Sequence, residues 1–380
     1  MSLEDSIRRD LPDPREFKYS AYGSYIVGAN DAMRAKLRQF FEEVDIDLFI
    51  REEVSLNGGN GADMHYSIFN IGSDGRHEKG ATSPHDVMIL SDGDGFENRG
   101  ELNEILSSKF MSMFVKQNDL MLEDNDKRYA PGAHRVFSDM EAKTVTGSDG
   151  MFSYKQNDKA SWPSRIIDAD IVMPNGKDQL RSARLLLLDE MKNVDNGRLG
   201  KKIRQHEKDR LKGYSKITNS GNNTMRGDRV THFDINTGEA IYNLSDDVDG
   251  VCANSFKHGP LRLVQTAVVL KIVDIIRSND FTVESGGDLL SEMETQTVRK
   301  IAYLHSMGVS RVSPKVMSDL IDNYRYFLWL FHISEYEYYN NGNTVTDFNT
   351  KETAERLQDT IHVVSEFINN GKTGKEKIKL

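Results

Sequence analysis

Apolar and polar positions alternate where the chain enters residues 64–72. Tyr66, Ile68 and Ile71 stand against smaller or polar neighbours, a pattern that predicts a strand. A Gly72-Ser73 turn and a short polar segment follow, and a second apolar run, Val87-Met88-Ile89-Leu90, predicts a second strand. Residues 1–27, punctuated by Pro12 and Pro14, read as irregular, with Tyr19, Tyr22 and Tyr25 as docking aromatics. Residues 30–50 carry Met33, Leu37, Phe40, Phe41, Val44 and Leu48 at helical spacing, so one helix is expected there, with Asn30 as its cap. A Gly/Asn loop at 57–63 leads from that helix into the first strand.

Beyond the second strand the period changes more than once. Asp92 and Asp94 sit in an acidic loop that lacks the spacing and closing Glu of a calcium loop, so it reads as a solvated turn. A helix over 101–116 would turn Leu102, Ile105, Leu106, Phe110 and Phe114 inward, and short strands are expected at 119–122 and about 135–137. Residues 165–172 alternate as a strand, which would point Asp168 and Asp170 the same way. From residue 180 the period is helical, with Leu180, Ala183, Leu187 and Met191 inward. The basic stretch 196–213 is either a solvated helix face or a cationic wall facing an anion. A hairpin about Asn236 to Gly238 follows in the polar 214–250 segment. Leu261, Val264, Val268, Ile272 and Ile275 form the stripe of a long helix over 256–278. Three more helices are expected at 287–307, 313–340 and 350–370, then a flexible basic tail. The aromatic run at 324–339 has the spacing of a bundle core rather than a base-stacking surface.

Composition narrows the function classes. The chain has 380 residues, 38% hydrophobic and 28% charged, enough for a large core and two domains. A net charge of −10 argues against a general nucleic-acid binder, which needs clustered Lys and Arg. No apolar run approaches the roughly 18 residues of a membrane span, so membrane insertion is not expected. The charged, proline-bearing opening does not resemble a Sec-type signal. Cys252 is the single cysteine, which fits a reducing compartment, and a small buried residue is its expected role.

The chemistry concentrates between Gly72 and Asp86. Glycine lets backbone N–H groups approach a phosphate, the Ser73 hydroxyl adds a donor, and a carboxylate at a strand mouth can hold Mg²⁺. Gly72, Ser73, Gly75, Arg76, Glu78, Ser83 and Asp86 reproduce, without a gap, a pattern of the nucleotidyltransferase superfamily related to DNA polymerase β. The segment most resembles that of glutamine synthetase adenylyltransferases, nitrogen-regulatory uridylyltransferases and AMPylating bacterial effectors. Asp168, Ile171, Pro174 and Gly176 resemble the segment that bears the third carboxylate of these proteins, on a strand neighbouring the Asp-x-Asp strand. Lys257, Gly259, Leu261, Arg262, Val264 and Gln265 resemble a signature that follows the catalytic domain of the uridylyltransferases. Two departures stand out. Pro84 and His85 replace the first aspartate of the pair and the residue after it, and Asp170 takes an arginine position.

The resemblance implies an α+β fold: a polymerase β-like nucleotidyltransferase domain, with a mixed sheet and flanking helices, followed by an α-helical bundle. The expected boundaries are 1–190 for the catalytic domain, 191–255 for a basic helix and hairpin insertion, and 256–380 for the bundle. It implies Mg²⁺-dependent transfer of a nucleoside monophosphate, AMP from ATP, to the hydroxyl of a protein substrate. Asp86 and Asp168 would be catalytic, with Asp86, Asp168 and Asp170 as metal ligands. Gly72, Ser73, Arg76, Glu78, Lys257 and Arg262 would hold the nucleotide. Pro84 cannot bind a metal through its side chain and His85 is a poor Mg²⁺ ligand. The alternative is therefore a pseudoenzyme that binds nucleotide or a partner; an RNA- or antibiotic-modifying transferase fits less well, the RNA version being opposed by the acidic charge. A cytoplasmic location is expected, or delivery into a host cytosol as an effector.

Overall fold

The computed structural model describes residues 13–43, 45–56, 66–80, 87–91, 136–138, 167–171, most of 184–219, 232–233, 240–241, 256–278, 296–306, 312–341, 350–370 and 377–378. The described part is mostly helical, with a small mixed sheet at one side. The expected helix at 101–116, the strand at 119–122, Cys252 and Asp86 lie outside the described residues.

Two helices precede the sheet, α1 (Tyr22–Glu43) and α2 (Ile46–Leu56). They replace the single helix expected over 30–50. Asp45 adopts a left-handed φ of 50°, which no continuous α-helix tolerates, and this resets the phase of the apolar positions. Met33, Leu37 and Phe41 are buried as their spacing requires, whereas Leu48, expected inward, is 51% exposed. Helix α1 also begins well before Asn30, absorbing Tyr22 and Ile26 into the core of a region expected to be irregular. Asn30 is therefore not a cap. It is buried in the helix interior, and its amide serves a different segment.

The sheet has the order β3-β2-β1-β4, from β1 (Tyr66–Asn70), β2 (Val87–Ser91), β3 (Val136–Ser138) and β4 (Asp170–Ile171). Strand β1 pairs antiparallel with both β2 and β4, and β2 pairs parallel with β3. The register places Val87, Asn70 and Asp170 in one row across three strands. Two expectations change here. Strand β4 lies beside β1, across it from β2, rather than beside β2, whose other flank is taken by β3. Asp168 sits in a turn ahead of β4 rather than within a strand, so the period of two that aligned it with Asp170 does not operate.

The helical part is built around α4 (Arg262–Ile276), entered through a π turn at Lys257–Leu261 that is kinked at Gly259 and Pro260. The predicted stripe understates its burial. Leu263, Ala267, Leu270, Val273 and Ile276 are buried as well, so this helix is apolar nearly all round, as a central helix must be. Helix α3 (Arg198–Asn219) packs along it, with Leu199, Ile203 and Leu211 inward. Helices α5 (Thr297–Ser306), α6 (Pro314–Asn341) and α7 (Thr350–Asn369) complete the group. The aromatic run of α6 forms core: Tyr324, Tyr326, Phe327 and Phe331 are all buried. A short hairpin, β5 (His232–Phe233) with β6 (Ala240–Ile241), lies between α3 and α4 in the chain. The tail is not wholly detached, since Ile378 is buried and exchanges two backbone hydrogen bonds with the Asn369 side chain, at 2.7 and 2.8 Å. Among the described residues, no helix is long and apolar enough to cross a membrane.

Candidate functional site

The sheet end formed by the C-terminus of β1 gathers most of the residues that the sequence singles out. Gly72 takes φ 63°, a left-handed conformation open to glycine at little cost, and starts a single helical turn over Gly72–Gly75. The turn folds back on itself, with Gly75 N–H donating to Ile71 O, Arg76 N–H to Gly72 O and Glu78 N–H to Ser73 O. Gly75 is required for a different reason. A Cβ there would lie 2.1 Å from Asp168 O and 2.7 Å from Asn70 O, both backbone atoms that cannot yield. The Gly-Arg pair of the motif thus lets the turn press against the chain at Asp168. At the centre of the row, Asn70 is fully buried, and among the described residues neither atom of its side-chain amide has a hydrogen-bond partner.

Arg76, Glu78 and Asp168 form a buried ionic network. Arg76 donates from Nη1 to Asp168 Oδ2 at 2.8 Å and from Nε to Glu78 Oε2 at 2.9 Å. Lys300, on α5, donates to Asp168 Oδ1. Glu78 also accepts the Tyr324 hydroxyl at 2.7 Å, the Thr297 backbone N–H at 2.9 Å and the Gln265 amide at 3.3 Å. Burial alone would raise Asp168, but Lys300 and Arg76 outweigh it and hold the carboxyl below its ordinary range. Burial pulls the Lys300 ammonium down against the attraction of Asp168. For Arg76 the two carboxylates overcome burial and raise the guanidinium. Burial and the Glu78 charge keep Tyr324 a neutral phenol, fit to donate.

A second layer fixes this network. Arg184, pushed down to about 10 by burial, donates to Ala169 O at 3.0 Å and to Ile167 O at 3.4 Å, clamping the backbone on both sides of Asp168. His332 accepts the Tyr22 hydroxyl at Nδ1 (2.9 Å) and donates from Nε2 to Glu78 O (3.1 Å), and burial lowers it to about 4. Asn30 accepts Lys79 N–H at 3.1 Å and donates to Lys79 O at 3.4 Å, tying the end of the motif to α1.

The remaining candidates go elsewhere. Asp170 is held by Arg34 Nη1 at 2.8 Å and by His77 Nε2, and it does not join Asp168. Lys257 lies over the Phe331 ring, 5.8 Å from its centroid, and Arg262 donates to Gln265 Oε1 at 3.4 Å. Gln265 thereby links the Lys257–Gln265 signature to Glu78.

This geometry bears on a metal ion. Both oxygens of Asp168 are engaged by buried cations, and the two positive charges of Arg76 and Lys300 balance the two negative charges of Asp168 and Glu78. A divalent ion added at Asp168 would meet an already neutral set with a guanidinium and an ammonium against it, so Asp168, held in this way, does not fit Mg²⁺. Among the described residues, no group of three or more His, Cys, Asp or Glu is arranged to hold a metal.

Sequence reasoning missed Lys300, Tyr324, Thr297, His332, Arg184 and Arg34, and gave Asn30 the role of a cap instead. One signal was readable: Lys300 falls among Thr297, Val298, Ile301 and Leu304 on the inward face of α5, where a lysine needs a buried partner. None of the known protein-family models matches the chain, and comparison with curated protein sequences also yields no match.

Proposed function

We propose that this chain is a nucleotidyltransferase-like protein, with a polymerase β-like sheet followed by a helical bundle, that receives a nucleoside triphosphate at the C-terminal end of β1. In this reading it acts chiefly as a nucleotide-responsive module for a protein partner. The observation that carries it is the convergence of the Gly72-Ser73 turn, the start of β2 and the Asp168 segment at one sheet end. Backbone N–H groups at a left-handed glycine suit phosphate oxygens, and Ser73 supplies a hydroxyl. Arg76 and Glu78, expected as nucleotide ligands, bond to each other and, through Arg76, to Asp168, and so support the turn and the Asp168 segment in this reading.

The second reading is Mg²⁺-dependent transfer of AMP from ATP to a protein hydroxyl. Favouring the first over it are Pro84, which removes a bridging carboxylate, and the engagement of both Asp168 oxygens by protein cations. Loss of metal-bound charge at a phosphoryl-transfer centre costs orders of magnitude in rate.

Calorimetric titration with ATP, CTP, GTP and UTP, with and without Mg²⁺, separates the readings. The module predicts binding of one nucleotide that persists without Mg²⁺, and no transfer of labelled α-phosphate to protein. Mg²⁺-dependent binding that is lost in Asp86→Ala, together with labelled protein, establishes the transferase instead. Binding of no nucleotide ends both.

A further inference from the structure

We infer that Lys300 is a built-in replacement for a divalent cation at Asp168: its ammonium occupies the position against Oδ1 that a metal would otherwise take. The inference rests on the reading of Asp168 as the third carboxylate of a nucleotidyltransferase-like site. It goes beyond that reading by assigning the charge at this carboxylate to a residue of the helical part.

Three observations lead there. Lys300 is 1% exposed, and a lysine that deep is retained only with a charge to neutralise. Its ammonium contacts Asp168 Oδ1, while Oδ2 accepts from Arg76, so each carboxylate oxygen already faces a buried cation. The approach is also fixed from behind. Thr297 N–H, one turn earlier in α5, donates to Glu78 Oε1, which docks the helix on the same network and brings Lys300 over the turn that bears Asp168.

Charge counting makes this testable. With Lys300 present, the four ionised groups sum to zero; without it they sum to −1, a deficit that a cation can fill. Lys300 is a positioning residue: it orients and neutralises Asp168 and acts on a bound nucleotide only through it.

The test uses Mn²⁺ alone on the full chain, followed by electron paramagnetic resonance, with no nucleotide present. Wild type is expected to show no Mn²⁺ binding that depends on Asp168, so Asp168→Asn leaves its spectrum and titration unchanged. Lys300→Met, which keeps the stem and removes the charge, is expected to bind one Mn²⁺ at least roughly tenfold more tightly than wild type. The double variant Lys300→Met/Asp168→Asn should lose that binding. If Lys300→Met is unfolded alone but folds when Mn²⁺ is added, the conclusion is the same. Asp168-dependent Mn²⁺ binding in wild type overturns the inference. A Lys300→Met protein that responds to Mn²⁺ neither in binding nor in folding also overturns it. Because no nucleotide enters the experiment, its failure is distinct from failure to bind nucleotide.

Discussion

At the scale of single residues, the molecule keeps its titratable groups in fixed states by burying them with particular partners. His332 is the clearest case. Its Nδ1 accepts from Tyr22 and its Nε2 donates to Glu78 O, so the neutral ring satisfies both neighbours, while burial penalises a charged one. Burial lowers it to about 4 from an unfolded value of 6.5. The unfolded chain therefore binds the extra proton first, and this contribution to stability is complete above pH 6.5 and is lost as the pH falls toward 4. The loss should amount to about 3 kcal/mol by the bottom of that window. Denaturant unfolding from pH 7 down to 4.5 is expected to show it, and His332→Gln should flatten the slope. An unchanged slope in the variant would assign the acid sensitivity to other groups.

At the scale of elements, a helix and a loop far apart in the chain are joined by one amide. From inside α1, Asn30 makes two hydrogen bonds to the Lys79 backbone besides one to Ile26 O, the reverse of the capping role that its residue type suggests. Asn30→Ala should remove both of these bonds to the buried Lys79 backbone, at a cost of about 1–3 kcal/mol. Asn30→Asp keeps the acceptor for Lys79 N–H and should fall between wild type and alanine in denaturant midpoint. If both variants unfold like wild type, the amide does not hold the loop. The same scale shows why some spans were readable and others were not. Strands β1 and β2, the burial of α4 and the aromatic core of α6 follow from the apolar period, because burial against any partner selects that period. The break at Asp45 does not, since a single left-handed residue leaves no mark on hydrophobicity.

At the scale of the whole molecule, the network about Glu78 joins the sheet end to three helices of the bundle, α4 through Gln265, α5 and α6. Glu78 reaches Arg76 beside the sheet, Thr297 on α5 and Tyr324 on α6. Glu78→Gln would place an amide N–H₂ among donors and strip Arg76 of a counter-charge. Breaking one side of a buried pair costs about 3–5 kcal/mol. Native-state hydrogen exchange on this variant should find protection reduced in β1 and α5 together, since the turn that leaves β1 and the start of α5 are fastened at the same carboxylate. Reduction confined to residues 76–78 would show that the sheet and the helices are held to each other by other contacts.

The sequence by itself determined the local elements with a strong period, and the Gly72-to-Glu78 turn whose glycines serve a left-handed φ and a close backbone approach. It also singled out Arg76, Glu78 and Asp168, from two separate segments, and Arg76 bonds to both carboxylates. Only the tertiary structure decided what those charges face. Lys300, Tyr324 and Thr297 come from helices more than 120 residues beyond Asp168, and no spacing rule connects them to it. The physical reason is that a carboxylate's role is set by the charges within a few ångströms of it, and those neighbours are chosen by how helices pack rather than by where they lie in the chain.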